Sequence, residues 1–261
     1  MIHVIGYSGS LILKLIQYLG EIGLLFARTI YLALIPPFKV NRLLTQAKRV
    51  GPGSFFIAAL IAFFVGMIIA VQMAYQMVKL SAEIYIPNVV SVSLTRELAP
   101  VLTALIVAGR IGAGITAEIG SMAVTEQVDA LKAFAVNPVK FLVVPRFLAL
   151  VVMLPLLTIF ADIIGIVGGY VICVYKLLIS PELYFNMVAE ALTAKDILTG
   201  LFKTIFFGAI IALVGCHQGL NVKGGAEGVG QSTTRSVVIS FILIIMTNAL
   251  FTTLFYFIFR M

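Results

Sequence analysis

The chain has 261 residues, of which 61% are hydrophobic and 11% charged, and its mean hydropathy is +1.13. A soluble surface carries about 25% charged residues, so a soluble globular domain is excluded. Residues 50–78 and 236–259 hold no charged side chain at all. The formal charge of +7 does not point to nucleic acid, because no basic run exceeds the pair Lys48-Arg49. Basic residues flanking apolar spans are set by membrane topology instead. Cys173 and Cys216 lie far apart in apolar runs, and His3 and His217 are isolated, so neither a metal site nor a disulfide framework is expected.

Taken in chain order, residues 8–35 are apolar with one polar stripe. Ser10, Lys14, Gln17, Glu21 and Arg28 recur at helical spacing. A narrow stripe suits a helix lying in the membrane interface better than a crossing, with a tilted span as the alternative. Lys14 interrupts the first apolar run, which argues against a cleavable signal peptide. Pro36-Pro37 stops this helix, and a basic connector with Lys39, Arg42, Lys48 and Arg49 leads to Gly51-Pro52-Gly53. A crossing needs roughly 20 apolar residues, and five such stretches follow, near residues 54–78, 89–117, 142–175, 197–217 and 235–259. The predicted fold is an all-α polytopic membrane protein: a single unit with an interfacial helix and connector over 1–48 and a five-span core over 49–261.

Two short elements lie between spans. Val124, Val128, Leu131 and Ala135 share one helical face, opposite Thr125, Glu126, Asp129 and Lys132, which predicts an amphipathic helix ended by Asn137-Pro138. Ser180-Pro181-Glu182 combines a capping hydroxyl, a first-turn proline and an acid at the positive dipole end, predicting a short helix to about residue 192. The fourth span opens with Thr193-Ala-Lys-Asp196, a capping box with Asp in place of Glu. With the N-terminus in the cytoplasm, eleven basic residues face the cytoplasm. Five face the other side, namely Lys79, Lys176, Lys195, Lys203 and Arg260. That asymmetry predicts a cytoplasmic N-terminus and an external C-terminus.

The chain lacks G-x-x-x-x-G-K-[ST], a nucleophile elbow and a zinc-binding histidine pair, so energy has to come from another chain or an ion gradient. The run 224–230 is rich in glycine but lacks the P-loop lysine, and it reads as a loop. Arg96-Glu97 is the most informative local feature, since intramembrane charges cost about 2.5–3.5 kcal/mol on insertion scales. Two readings stand: a pair marking a helix end at the headgroups, or a polar spot at a cavity mouth. Adjacent helical residues point about 100° apart, so both side chains are not expected to be hidden on one seam. Ala108/Gly112/Thr116 and Ala113/Ala117 are small-xxx-small pairs for close helix packing. Arg110 and Glu118 lie near one face and are expected to pair directly or through neighbours in a structural role. Asp162 stands alone in the third span, satisfied by backbone, water or Arg110.

The block from Ser93-Leu-Thr-Arg-Glu-Leu-Ala-Pro through Ala108-Gly-Arg-Ile-Gly-Ala-Gly to Asp129-Ala-Leu131 resembles the signature of MlaE-type permeases. Asn137-Pro138, Pro145-Arg146-Phe147 and Thr233-Thr234-Arg235-Ser236 continue the resemblance. These permeases are the membrane subunits of MCE-associated ABC transporters. The resemblance implies a homodimer in the bacterial inner membrane with two cytoplasmic ABC ATPase subunits, an extracytoplasmic MCE-domain protein and a small STAS-domain partner. It implies phospholipid as substrate, bound near Arg96, Glu97 and Leu98, with Ile69 on the wall and Leu80 where some relatives carry a polar aromatic residue. It also implies that the helix at 122–135, with Glu126, Asp129 and Leu131, couples to the ATPase. No cofactor, no metal and no catalysis by this chain itself are expected. An ion-coupled secondary transporter of an amphipathic substrate is the alternative, though no repeat or midplane ionic cluster supports it. A membrane-embedded lipid transferase would need an acid–base set that the sequence does not offer.

Overall fold

A computed structural model describes residues 2–36 and 40–259, with side chains omitted for 2–12, 14, 15, 258 and 259. The architecture is helical throughout these residues, with α1 Ile2–Leu34, α2 Val40–Met77, α3 Ile86–Ser93, α4 Ala99–Val107, α5 Ala113–Val124, α6 Gln127–Ala133, α7 Val144–Tyr175, α8 Pro181–Ala191, α9 Ala194–Leu220 and α10 Gly225–Phe259. Widened turns Leu94–Leu98 and Ala108–Gly112 join α3, α4 and α5 into one rod, and a third, Val139–Val143, leads into α7. Among the described residues, five helical stretches are long and apolar enough to cross a membrane. They begin with α2, the α3–α5 rod and α7, and end with α9 and α10. Short connections make them alternate in direction, so one end of the bundle carries α6 and the other α8.

The expected stop after the first helix is present, since α1 ends at Leu34; Pro37 and Lys39 lie outside the described residues, as do the side chains of Ser10 and Lys14. The described part of the stripe lies across the α6 end. Glu21 meets His217 at 3.0 Å in the last turn of α9, the Tyr18 hydroxyl accepts from Gln218 Nε2 at 3.0 Å, and Phe26 packs on Phe147 in the first turn of α7. Burial raises the Tyr18 hydroxyl above its ordinary pKa, so it stays neutral as that acceptor. The basic connector proves helical. α2 starts at Val40 and runs through Pro52, so Arg42, Lys48 and Arg49 ride on its first turns. The glycine-rich loop is corrected as well: only Gly224 and Gly225 take left-handed φ angles (+91° and +69°), and α10 begins directly at Gly225.

Without a strong hydrophobic drive between helices in lipid, association depends on close backbone approach. The tightest seam joins α2 to α7. A Cβ on Gly66 would lie 1.9 Å from the Gly165 carbonyl oxygen, so only glycine permits this spacing. Ala108, Gly112 and Thr116 turn inward as expected, and the Thr116 hydroxyl is within 3.0 Å of the Gly112 carbonyl and 3.1 Å of Gly215 on α9. Two apolar cores result. One near α6 centres on Leu150, Phe207 and Ile211; one near α8 centres on Val90, Leu94, Cys173 and Tyr184. In the second, α8 is capped by the Ser180 hydroxyl accepting from Leu183, and the Tyr184 hydroxyl donates to the Ile166 carbonyl at 2.7 Å. The Thr193–Asp196 capping box opens α9.

Candidate functional site

Pro100 sets the geometry of the site. A proline cannot donate to the carbonyl four residues back, here that of Arg96, and its ring crowds that carbonyl. The helix relieves the conflict by widening over Leu94–Leu98, where the Ala99 amide bonds back to Leu94. The freed Arg96 carbonyl accepts from Lys203 Nζ at 3.1 Å. The widened turn also aims Arg96 and Glu97 at the same neighbour, and, in keeping with the 100° between them, the two are not both hidden there: each side chain stays partly exposed. Arg96 Nε lies 2.5 Å from Asp196 Oδ1, and Lys203 Nζ lies 2.6 Å from Glu97 Oε1. Asp196 and Lys203 are seven residues apart, so they occupy one face of α9. The close fit between the elements is fixed at Gly200, where a Cβ would fall 2.2 Å from the Thr95 carbonyl oxygen.

The network continues into α10. Glu97 also accepts from Thr252 Oγ1 at 2.8 Å and from Asn248 Nδ2 at 2.8 Å, while Lys203 donates to Thr252 at 2.9 Å. Lys203 is 2% exposed and the Asp196 side chain 1%, whereas the side chains of Arg96 and Glu97 each keep 35% exposure. Two cations and two carboxylates balance, which is what permits them beside the hydrocarbon. Arg96 is anchored through Nε alone. Its two terminal nitrogens have no partner among the described residues, so the outward edge of the guanidinium can take an anion in a bidentate way.

The sequence missed Asp196, Lys203, Asn248 and Thr252. Lys203 was counted with the outer flanking lysines, and the structure withdraws it from that count as a buried partner. Its signal was available: a lysine within an apolar run, one heptad after an acid. The other expected wall residues divide. Ile69 and Leu98 each pack against the α8-side core, while Leu80 ends the turn Val78–Leu80 with 73% exposure.

A second polar cluster lies at the α6 end. Arg110 and Glu118 do not pair. Arg110 bonds Ser54 at 3.2 Å, and Glu118 takes Arg49 of α2 at 2.6 Å and Arg146 of α7 at 3.0 Å. Asp162 is buried, and its Oδ1 has no hydrogen-bond partner; Arg110 does not serve it. Just beyond, α6 is shorter than expected, covering Gln127–Ala133. Val124 belongs to α5, Ala135 turns out of the helix at φ +56°, and Glu126 sits in the connecting turn at φ +57° instead of on the polar face. Val128 is buried, Leu131 half-buried, and Glu126 and Asp129 exposed, with Asp129 held by Lys132 at 2.7 Å. Among the described residues no group of three His, Cys, Asp or Glu side chains is placed to hold a metal.

The description "Permease MlaE" belongs to the family model that matches residues 43–254. A probable ABC transporter permease protein of Rickettsia felis is 40% identical over 98% of this chain and 99% of its own length. One from Synechocystis sp. is 46% identical over 80% of this chain and 81% of its own. One from the alga Pyropia yezoensis is 37% identical over 90% and 89%.

Proposed function

Because the chain belongs to the MlaE permease family of ABC transporter permeases, we propose that it moves phospholipids between the inner and outer membranes, energised by separate ATPase subunits. The observation that carries the lipid reading is Arg96. Its guanidinium is fixed at one edge by Asp196, open at the other, and set at the α8 end of an apolar bundle. A phosphate on the open edge with acyl chains along Ile69 and Leu98 uses both halves of an amphiphile. Asp196, not Glu97, is the group that orients Arg96; Glu97 instead ties the widened turn to α9 and α10.

The assembly we propose is a homodimer with two ATPases at the α6 end, an extracytoplasmic MCE-domain protein at the α8 end, and a STAS-domain protein beside the ATPases. Its α10 supports a dimer. Only 11% of its membrane window is buried within one chain, against 28–50% in the other spans, and Val238, Ile242, Ile245, Met246 and Leu250 form an exposed stripe. We place α6, with Glu126, Asp129 and Leu131, in a groove of the ATPase. The basic excess at the α6 end supports a cytoplasmic α6 end and a periplasmic C-terminus. Family membership argues against the ion-coupled alternative.

The test is the complex reconstituted between donor and acceptor vesicles with labelled phospholipid and ATP. Arg96→Lys is expected to assemble normally and retain its bond to Asp196, yet lose most phospholipid co-purification and ATP-dependent transfer, because lysine lacks the fork. Undiminished lipid occupancy and transfer in Arg96→Lys would refute the headgroup role.

A further inference from the structure

Where α1 hands over to α2, a cleft of about 470 Å³ opens between these helices and the start of α7. That volume falls within the range of ligand pockets. Its walls include Leu32, Ile35, Leu43 and Leu148, its polar rim includes Arg42 and Lys140, and no carboxylate lines it. The rim groups are held in place without being neutralised. The Arg42 guanidinium lies 3.3 Å from the centroid of the Phe141 ring, and among the described residues no acceptor takes its N–H edge. Lys140 Nζ donates to the Pro36 carbonyl at 3.1 Å and has two further donors. Neither cation has an ion-pair partner among the described residues. Elsewhere, Arg96 and Lys203 meet two acids, and Arg49 and Arg146 share Glu118.

An apolar slot with two uncompensated cations at its lip, at the junction of an interfacial helix and a span, has the chemistry of an anionic phospholipid site. We propose that this cleft holds an anionic phospholipid of the leaflet at the α6 end, with its headgroup phosphate on Arg42 and Lys140 and an acyl chain between Leu43 and Leu148. The lipid is a resident cofactor-like ligand that packs the α1–α2 junction, separate from any lipid at Arg96. The inference holds whether or not the transport reading does.

The chain contains no tryptophan, so Ile35→Trp in the full-length protein places a single fluorescent reporter on the cleft wall. Reconstituted in bilayers, it is quenched by brominated phosphatidylglycerol or brominated phosphatidylcholine at matched fractions. The expected result is an apparent preference for the anionic lipid of about fivefold per basic side chain. Arg42→Gln and Lys140→Gln should each lower it by about that factor. High salt should weaken it without any substitution, which keeps the test valid if a variant misfolds. Arg42→Lys should retain most of it, and Lys79→Gln at the α8 end should leave it unchanged. Equal quenching by the two lipids, or a preference surviving both Gln substitutions together, would overturn the site.

Discussion

The two ends of the second span each pair a carboxylate with cationic side chains of other helices, but they do so differently. Near α8, Glu97, itself 35% exposed, meets a lysine that is 2% exposed and takes two further hydrogen bonds from α10. Near α6, Glu118 is 37% exposed and shares itself between Arg146, at 5%, and Arg49, at 60%. An ion pair removed from water stabilises only as a complete set, since a lone buried charge is costly. An exposed pair is worth about 0–1 kcal/mol. The α8 set is therefore the tighter lock: none of its four side chains is more than 35% exposed, whereas the α6 set includes Arg49 at 60%.

The contrast predicts a ranking. Lys203→Met should be the most damaging change, because it strands Glu97 and the Arg96 carbonyl. About 3–5 kcal/mol is at stake, read as a large fall in the thermal midpoint in detergent. The double variant Lys203→Met with Glu97→Gln should recover much of the loss, and failure to recover would break the account of a closed set. Arg146→Gln should cost about 1–3 kcal/mol, since its buried guanidinium also donates to the Leu142 carbonyl at 2.7 Å. Arg49→Gln should cost less than about 1 kcal/mol in the same assay. Equal effects of the two would deny that exposure separates them. Reversing Glu126 and Asp129 to lysine should change stability by under about 0.5 kcal/mol while reducing ATPase co-purification. Retained ATPase would remove α6 from the interface.

The sequence made the lock only half visible. Hydropathy and capping chemistry located five spans and α8 because those signals are local: long apolar runs, Ser180-Pro181-Glu182, Thr193 with Asp196. Arg96-Glu97 also stood out, since charge is conspicuous in apolar surroundings. Their partners did not, because pairing across 100 residues depends on how helices pack. The effect of Pro100 was not legible either, because a helix proline does not announce that its turn will widen and bring two adjacent side chains onto one neighbouring helix. The short α6 has a similar cause. Apolar periodicity ran from Val124 to Ala135, yet the backbone breaks at Glu126 and Ala135, where periodicity carries no information about φ.

The contact of Gly66 with Gly165 limits how the chain can work. Two helices whose main chains touch have no side-chain layer to act as a lubricant, and a slide of one past the other would drive a carbonyl into a Cα. α2 and α7 must thus travel as one plank. Shape change within the chain is left to the other contacts, and α10, the span least buried within one chain, can move only together with its hold on Glu97 through Asn248 and Thr252 and its packing on α9, α5 and α4.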